Sequence, residues 1–124
     1  MKYRLTITGK LDNLNDYITA CRTNHYKGAK LKSHNEQHVK YAIYEQIGRL
    51  RIEKPVYMIY RWYEPDRRRD LDNISSFGRK VIQDALVETH VLKNDGWKDI
   101  TGFRDEFYID SDNPRIEVEI EVVD

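Results

Sequence analysis

The sequence predicts a small α+β domain, and three stretches carry that prediction. Residues 56–63 hold Val56, Tyr57, Met58, Ile59, Tyr60, Trp62 and Tyr63, a density of β-branched and aromatic side chains that favours a strand. Ile74, Phe77, Val81, Ile82, Ala85 and Leu86 recur at the intervals of one helix face. Ile116, Val118, Ile120 and Val122 alternate with Glu117, Glu119 and Glu121, which describes a strand with one packed and one wet face. A chain of 124 residues is expected to form one domain, 1–124, with helices packed on its sheet and a genuine core.

Taken in order, Tyr3 to Thr8 alternates with Leu5 and Ile7 on one face, a strand that Gly9 ends. Leu14, Tyr17, Ile18 and Cys21 then form a short amphipathic helix, with the Cys21 thiol on its buried face. Arg22 to Lys32 is nearly free of apolar residues and reads as a loop or a loose helix. Ser33 and Glu36 have the spacing of a capping box, so a helix is expected to start there. Val39, Ala42, Ile43 and Ile47 pack it, and Gly48 ends it. His34 and His38 share a face of this helix, but no clear set of further zinc ligands accompanies them.

The aromatic-rich strand lacks strict alternation. It is expected to be central and covered on both faces, with its aromatic side chains in the core. Pro65 breaks it, and Asp72 or Asn73 can cap the next helix. Gly78 weakens that helix by about 1 kcal/mol relative to Ala, and permits a bend or a close approach. Lys93 to Trp97 is a turn punctuated by Asp95-Gly96. Ile100 to Ile109 is a strand, and Asp110 to Pro114 a turn in which Asp110 and Asp112 are turn formers.

The composition narrows the function. Charged residues make up 34% of the chain, above the usual ~25%, which suits a small protein with much surface. The formal net charge is zero, so any nucleic-acid binding must come from local patches. Cys21 is the lone cysteine, which excludes an intrachain disulfide and fits a reducing cytoplasm. No signal peptide is visible, and no apolar run approaches the ~20 residues needed to cross a bilayer.

The most informative stretch is Arg67-Arg68-Arg69-Asp70-Leu71-Asp72-Asn73. In an extended backbone Asp70 and Asp72 point the same way. Two like charges roughly 5 Å apart repel by about 3 kcal/mol at an effective dielectric near 20. Water compensates for that in a solvated charged turn, and a divalent cation compensates for it in a metal site. Oxygen-only sites of this kind suit Mg²⁺ or Mn²⁺. Arg67, Arg68 and Arg69 carry guanidinium forks that match phosphate oxygens. A third carboxylate arrives with Asp95. Arg22, Lys27, Lys30 and Lys32, with Tyr26 among them, form either a solvated segment or a phosphate-contacting arm.

Arg69-Asp70-Leu71-Asp72-Asn73, then Asp84-Ala85-Leu86, then Asn94-Asp95 resembles the RusA family of Holliday junction resolvases, including its phage-borne members. The opening strand, Asn15-Asp16-Tyr17-Ile18 and the Arg22–Lys32 segment are similar to the phage branch. The resemblance implies a mixed β-sheet with helices, and a homodimer that binds four-way DNA junctions and nicks two opposing strands with Mg²⁺. It implies that Asp70, Asp72 and Asp95 are metal-binding and catalytic carboxylates. The family's catalytic lysine usually follows the second aspartate by four residues, where this chain has Ser76. Counting back from Asp84-Ala85-Leu86 puts Lys80 at that position, with an extra helical turn in between. A non-catalytic nucleic-acid-binding module of the same fold is the alternative that this departure leaves open.

Overall fold

The computed structural model describes residues 1–124. Its elements run β1 (Lys2–Thr8), α1 (Leu14–Thr23), α2 (His25–Ile47), β2 (Val56–Glu64), α3 (Leu71–Glu88), β3 (Ile100–Ile109) and β4 (Arg115–Val122). The strands form one mixed sheet in the order β1-β4-β2-β3. β4 is antiparallel to both β1 and β2, whereas β2 and β3 are parallel. A parallel pair needs a long crossover, and α3 supplies it. The α+β class and the mixed sheet are therefore as expected.

The alternation of β4 dictates which face is packed. Ile116, Val118 and Ile120 lie opposite Ile7, Leu5 and Tyr3 of β1, and opposite Trp62, Tyr60 and Met58 of β2. These positions form the core with Val81, Ile82, Ala85 and Leu86 of α3 and Val39 and Ile43 of α2. Tyr60 and Trp62 are fully buried in it, as predicted for the strand's aromatics, whereas Tyr57 and Tyr63 are half-buried and stay outside the core. Burying each large side chain contributes about 1.5–3 kcal/mol. α3 approaches the sheet closely at Gly78, where an added Cβ would meet Trp62 at 2.7 Å.

Four expectations are corrected. First, of the two readings of Arg22–Lys32, a loop or a loose helix, the helix holds and the expected helix start at Ser33 does not. Asn24 interrupts the chain only long enough to cap α2, its Oδ1 accepting the Lys27 N–H at 2.9 Å. Ser33 therefore lies inside α2 and starts nothing. Second, β2 is central but has helices on one face only. Its other face meets ion pairs, with Arg61 3.0 Å from Glu106 and 3.7 Å from Glu119. Third, the wet face of β4 is not uniformly wet. Glu119 is buried beneath Lys2, Arg4 and Arg61, which surround it with compensating charge. Fourth, Cys21 is exposed, its Sγ lying over Gly28 at the α1–α2 contact. α1 buries no residue completely, so its apolar face shields less than the periodicity implies.

Candidate active site

The parallel arrangement of β2 and β3 places the start of α3 beside the carboxyl ends of both strands. A cleft of about 570 Å³ opens there, lined by Glu64, Asp66, Arg67, Arg69, Asp70, Leu71, Ile74, Phe107, Tyr108 and Ile109. Pro65 ends β2, and Asp66 then turns the chain by accepting the Arg68 backbone N–H at 3.0 Å. Arg67 and Arg68 are exposed at this turn. Arg69 points the other way. Its Nη1 donates to the Leu11 carbonyl at 3.0 Å, and its Nε lies 3.4 Å from buried Glu64 without hydrogen-bond geometry. Arg69 thus ties β2 to the segment before α1, and its guanidinium is already occupied.

Asp70 is the N-cap of α3, where Asp72 or Asn73 was expected. Its backbone carbonyl accepts from Ile74, but its carboxylate makes no capping hydrogen bond. Asp72 follows in the first helical turn, and both aspartates are exposed. The positive end of the helix dipole favours carboxylates here. Between them Leu71 is 57% exposed, an apolar side chain left at the mouth of the cleft. Asp110 behaves differently. It accepts from the Asp112 and Asn113 N–H groups and from Arg115, so it is the turn former that its position predicted.

Lys80 stands two helical turns beyond Asp72, about 12 Å along the axis at 1.5 Å per residue. Its ammonium lies 3.1 Å from Asp84 and 3.4 Å from Asp95. The hydrogen bond to Asp84, reinforced by Asp95, raises the Lys80 pKa above the ordinary lysine range against a partial desolvation. Asp84 also pairs with Lys32 at 3.1 Å and raises that lysine's pKa in the same way. One carboxylate therefore links α2, α3 and the turn that carries Asp95. The i, i+4 spacing of Lys80 and Asp84 was the signal for this role in the sequence. Glu64 and Asp66, which flank the cleft, had no comparable signal.

The structure brings Asp70 and Asp72 together with Arg67 and Arg68 at one end of α3. It brings Asp95 together with Lys80 on the outer surface of the same helix. The two sets do not merge, and no three acidic, histidine or cysteine side chains gather to hold a metal ion. Mg²⁺ commonly takes one or two carboxylates and completes its shell with water and substrate phosphate. Asp70 and Asp72, exposed and free of capping bonds, meet that smaller requirement. Of the expected phosphate-binding arm, Arg22, Lys27 and Lys30 are exposed, while Lys32 is turned toward Glu36 and Asp84. Tyr26 is 74% exposed and tilted against His25 at 4.1 Å between ring centroids. His38 bonds the Thr8 carbonyl at 2.7 Å. No helix is long and apolar enough to cross a membrane.

Residues 9–121 match the model of one protein family, described as endodeoxyribonuclease RusA. No curated protein matches the chain.

Proposed function

Because the chain belongs to the RusA family of endodeoxyribonucleases, we propose that it is a Mg²⁺-dependent homodimer that resolves four-way DNA junctions by paired symmetric nicks. Membership makes it a nuclease of the Holliday-junction-resolving class, acting in DNA recombination. The finer reading is ours, and it places the protein in the cytoplasm, working on recombination and repair intermediates.

The observation that carries it is the pair of exposed carboxylates, Asp70 and Asp72, beside Arg67 and Arg68 at the start of α3. Arg67 and Arg68 hold the sugar-phosphate backbone, which positions DNA without reading its sequence. Asp70 and Asp72 would hold the ion, which supplies an activated water and neutralises charge on the phosphate. Mn²⁺ fits the same oxygen donors. Asp95 and Lys80 form the second half of the site. Lys80 and Asp95 are paired at 3.4 Å on a turn whose neighbouring residues are exposed, so a shift of that turn on DNA binding is what this reading requires of them. Lys80 then stabilises the oxyanion. Arg22, Lys27 and Lys30 extend the phosphate contacts. Two-fold symmetry in a dimer matches the two equivalent cuts that a junction requires.

A synthetic four-way junction incubated with Mg²⁺ or with EDTA tests the proposal. Paired symmetric nicks that vanish in EDTA are expected, and Asp70→Asn abolishes them while binding persists. Cutting by Asp70→Asn at the wild-type rate would overturn the assignment. The separation of Asp95 from Asp70 and Asp72 favours one other reading, a junction-binding module without catalysis. Its signature is an intact junction despite tight, salt-sensitive binding.

A further inference from the structure

We propose that a second, smaller cleft on α3 receives one unstacked nucleobase of the branched DNA, with Trp97 as its stacking wall. This inference rests on the DNA-junction reading above. The cleft has a volume of about 250 Å³ and is lined by Gln83, Asp95, Trp97, Thr101, Gly102 and Phe103, among others. That is below the ~300 Å³ at which pockets for drug-sized ligands begin, so it suits a single ring system and excludes a base pair.

Trp97 is 98% exposed. An indole fully in water forgoes the burial that normally stabilises the largest apolar side chain, and nothing within this chain covers it. Phe103 is 46% exposed on the adjoining strand, with the Arg79 guanidinium 4.3 Å from its ring centroid. Gln83 is anchored by its Nε2 donating to the Tyr60 hydroxyl at 3.0 Å, which leaves its amide oxygen to accept from a base edge. Lys93 and Lys98 are exposed and flank Trp97 in the sequence, and Lys80 is held at Asp95, so cations for a sugar-phosphate backbone are carried on the same turn and the adjoining helix. Aromatic rings beside cations are the recurring means of holding a single-stranded base, because stacking needs no particular sequence while the cations take the phosphates. A second copy of the chain seated on Trp97 would have to bury those lysines. At a branch point, bases next to the crossover are the least stacked, so this cleft selects branched over linear DNA and sets the strand next to Asp95.

The chain has two tryptophans, and Trp62 is fully buried, so iodide-accessible emission reports Trp97 alone. The experiment titrates the full chain, in EDTA, with a four-way junction and with a linear duplex of the same sequence. Junction binding should quench Trp97 emission and shield it from iodide, and the duplex should do neither. Trp97→Ala should weaken junction affinity about five- to hundredfold, as loss of one base–aromatic stack does, and Trp97→Phe should recover most of it. Wild-type affinity in Trp97→Ala, with emission unmoved in the native chain, would overturn the inference and leave the nuclease reading standing. A Trp97→Ala chain that elutes as a smaller species at unchanged junction affinity would also overturn it, since Trp97 would then be a protein contact. Failure of the native chain to bind or cut any branched DNA would instead remove the nuclease reading, and this inference with it.

Discussion

Gly78→Ala should destabilise the protein, although alanine is the better helix former. A Cβ at residue 78 would lie 2.7 Å from Trp62 Cη2 and 2.8 Å from Cζ3. Carbon atoms in contact prefer about 3.5–4.0 Å, so either α3 lifts from the sheet by about 1 Å or the indole turns. Turning is expensive, because Trp62 is 1% exposed and its Nε1 donates to Asp105 at 2.9 Å. Asp105 is in turn paired with Arg79 on the next residue of α3. Overpacking of this kind costs about 1–3 kcal/mol, against a helix-propensity gain of up to about 1 kcal/mol. The net loss falls within about 0–3 kcal/mol, and its middle, about 1–2 kcal/mol, is roughly 4–8 °C in Tm for a domain of this size. Urea unfolding followed by circular dichroism should show a lower midpoint with an unchanged slope. Junction cutting should fall as well, because α3 carries Asp70, Asp72 and Lys80. A midpoint equal to or above that of the native chain would refute the close approach as a constraint.

Lys80→Ala tests the register of the catalytic lysine: a loss of more than about tenfold in cutting, 1.4 kcal/mol, is expected, and a smaller loss argues against Lys80. Arg67→Ala and Arg68→Ala should each weaken junction binding and lower the slope of log affinity against log salt by about 1. Arg69→Ala should instead lower the unfolding midpoint, because it leaves Glu64 buried without its partner; an unchanged midpoint would show that the inward contacts are idle. Hydrogen bonds from Arg104 and then Tyr108, with Arg61 adding to them, pull the Glu106 carboxyl down to about 2. With the folded value depressed, its stabilisation is present above the ordinary carboxylate range and lost as pH falls toward about 2. Glu106→Gln should therefore flatten the decline of stability between about pH 4 and 2, and parallel declines in the two proteins would exclude the network.

Elements whose packing shows as periodicity are legible in the sequence alone. β4 spells out its buried face in Ile116, Val118 and Ile120, and α3 does so in Ile74 through Leu86. The start of α2 is not legible, because its first two turns are mostly exposed, pack on α1 through Gly28, and give no apolar stripe. The one local signal is Asn24, a capping residue directly before them. Arg69 looks like its neighbours Arg67 and Arg68, since the groups that turn it inward, Glu64 and the Leu11 carbonyl, are set by tertiary contact. The aspartates divide for a similar reason. Asp70 and Asp72 share one helix start, whereas the position of Asp95 depends on how the turn after α3 returns to the sheet, which no local pattern encodes.

The strand order has a consequence for how the molecule is made. β4 is the last of the four strands, yet it lies between β1 and β2, so Lys2 pairs with Glu121 across every other element of the fold. A ribosome that has translated β1 through α3 but not β4 holds a first strand with nothing to zip against. β1 stays unpaired until residues 115–122 clear the exit tunnel, and the sheet then closes in one late step. Contacts of such long sequence separation fold slowly, which makes the newborn chain, and not the finished one, the form most exposed to proteases and chaperones.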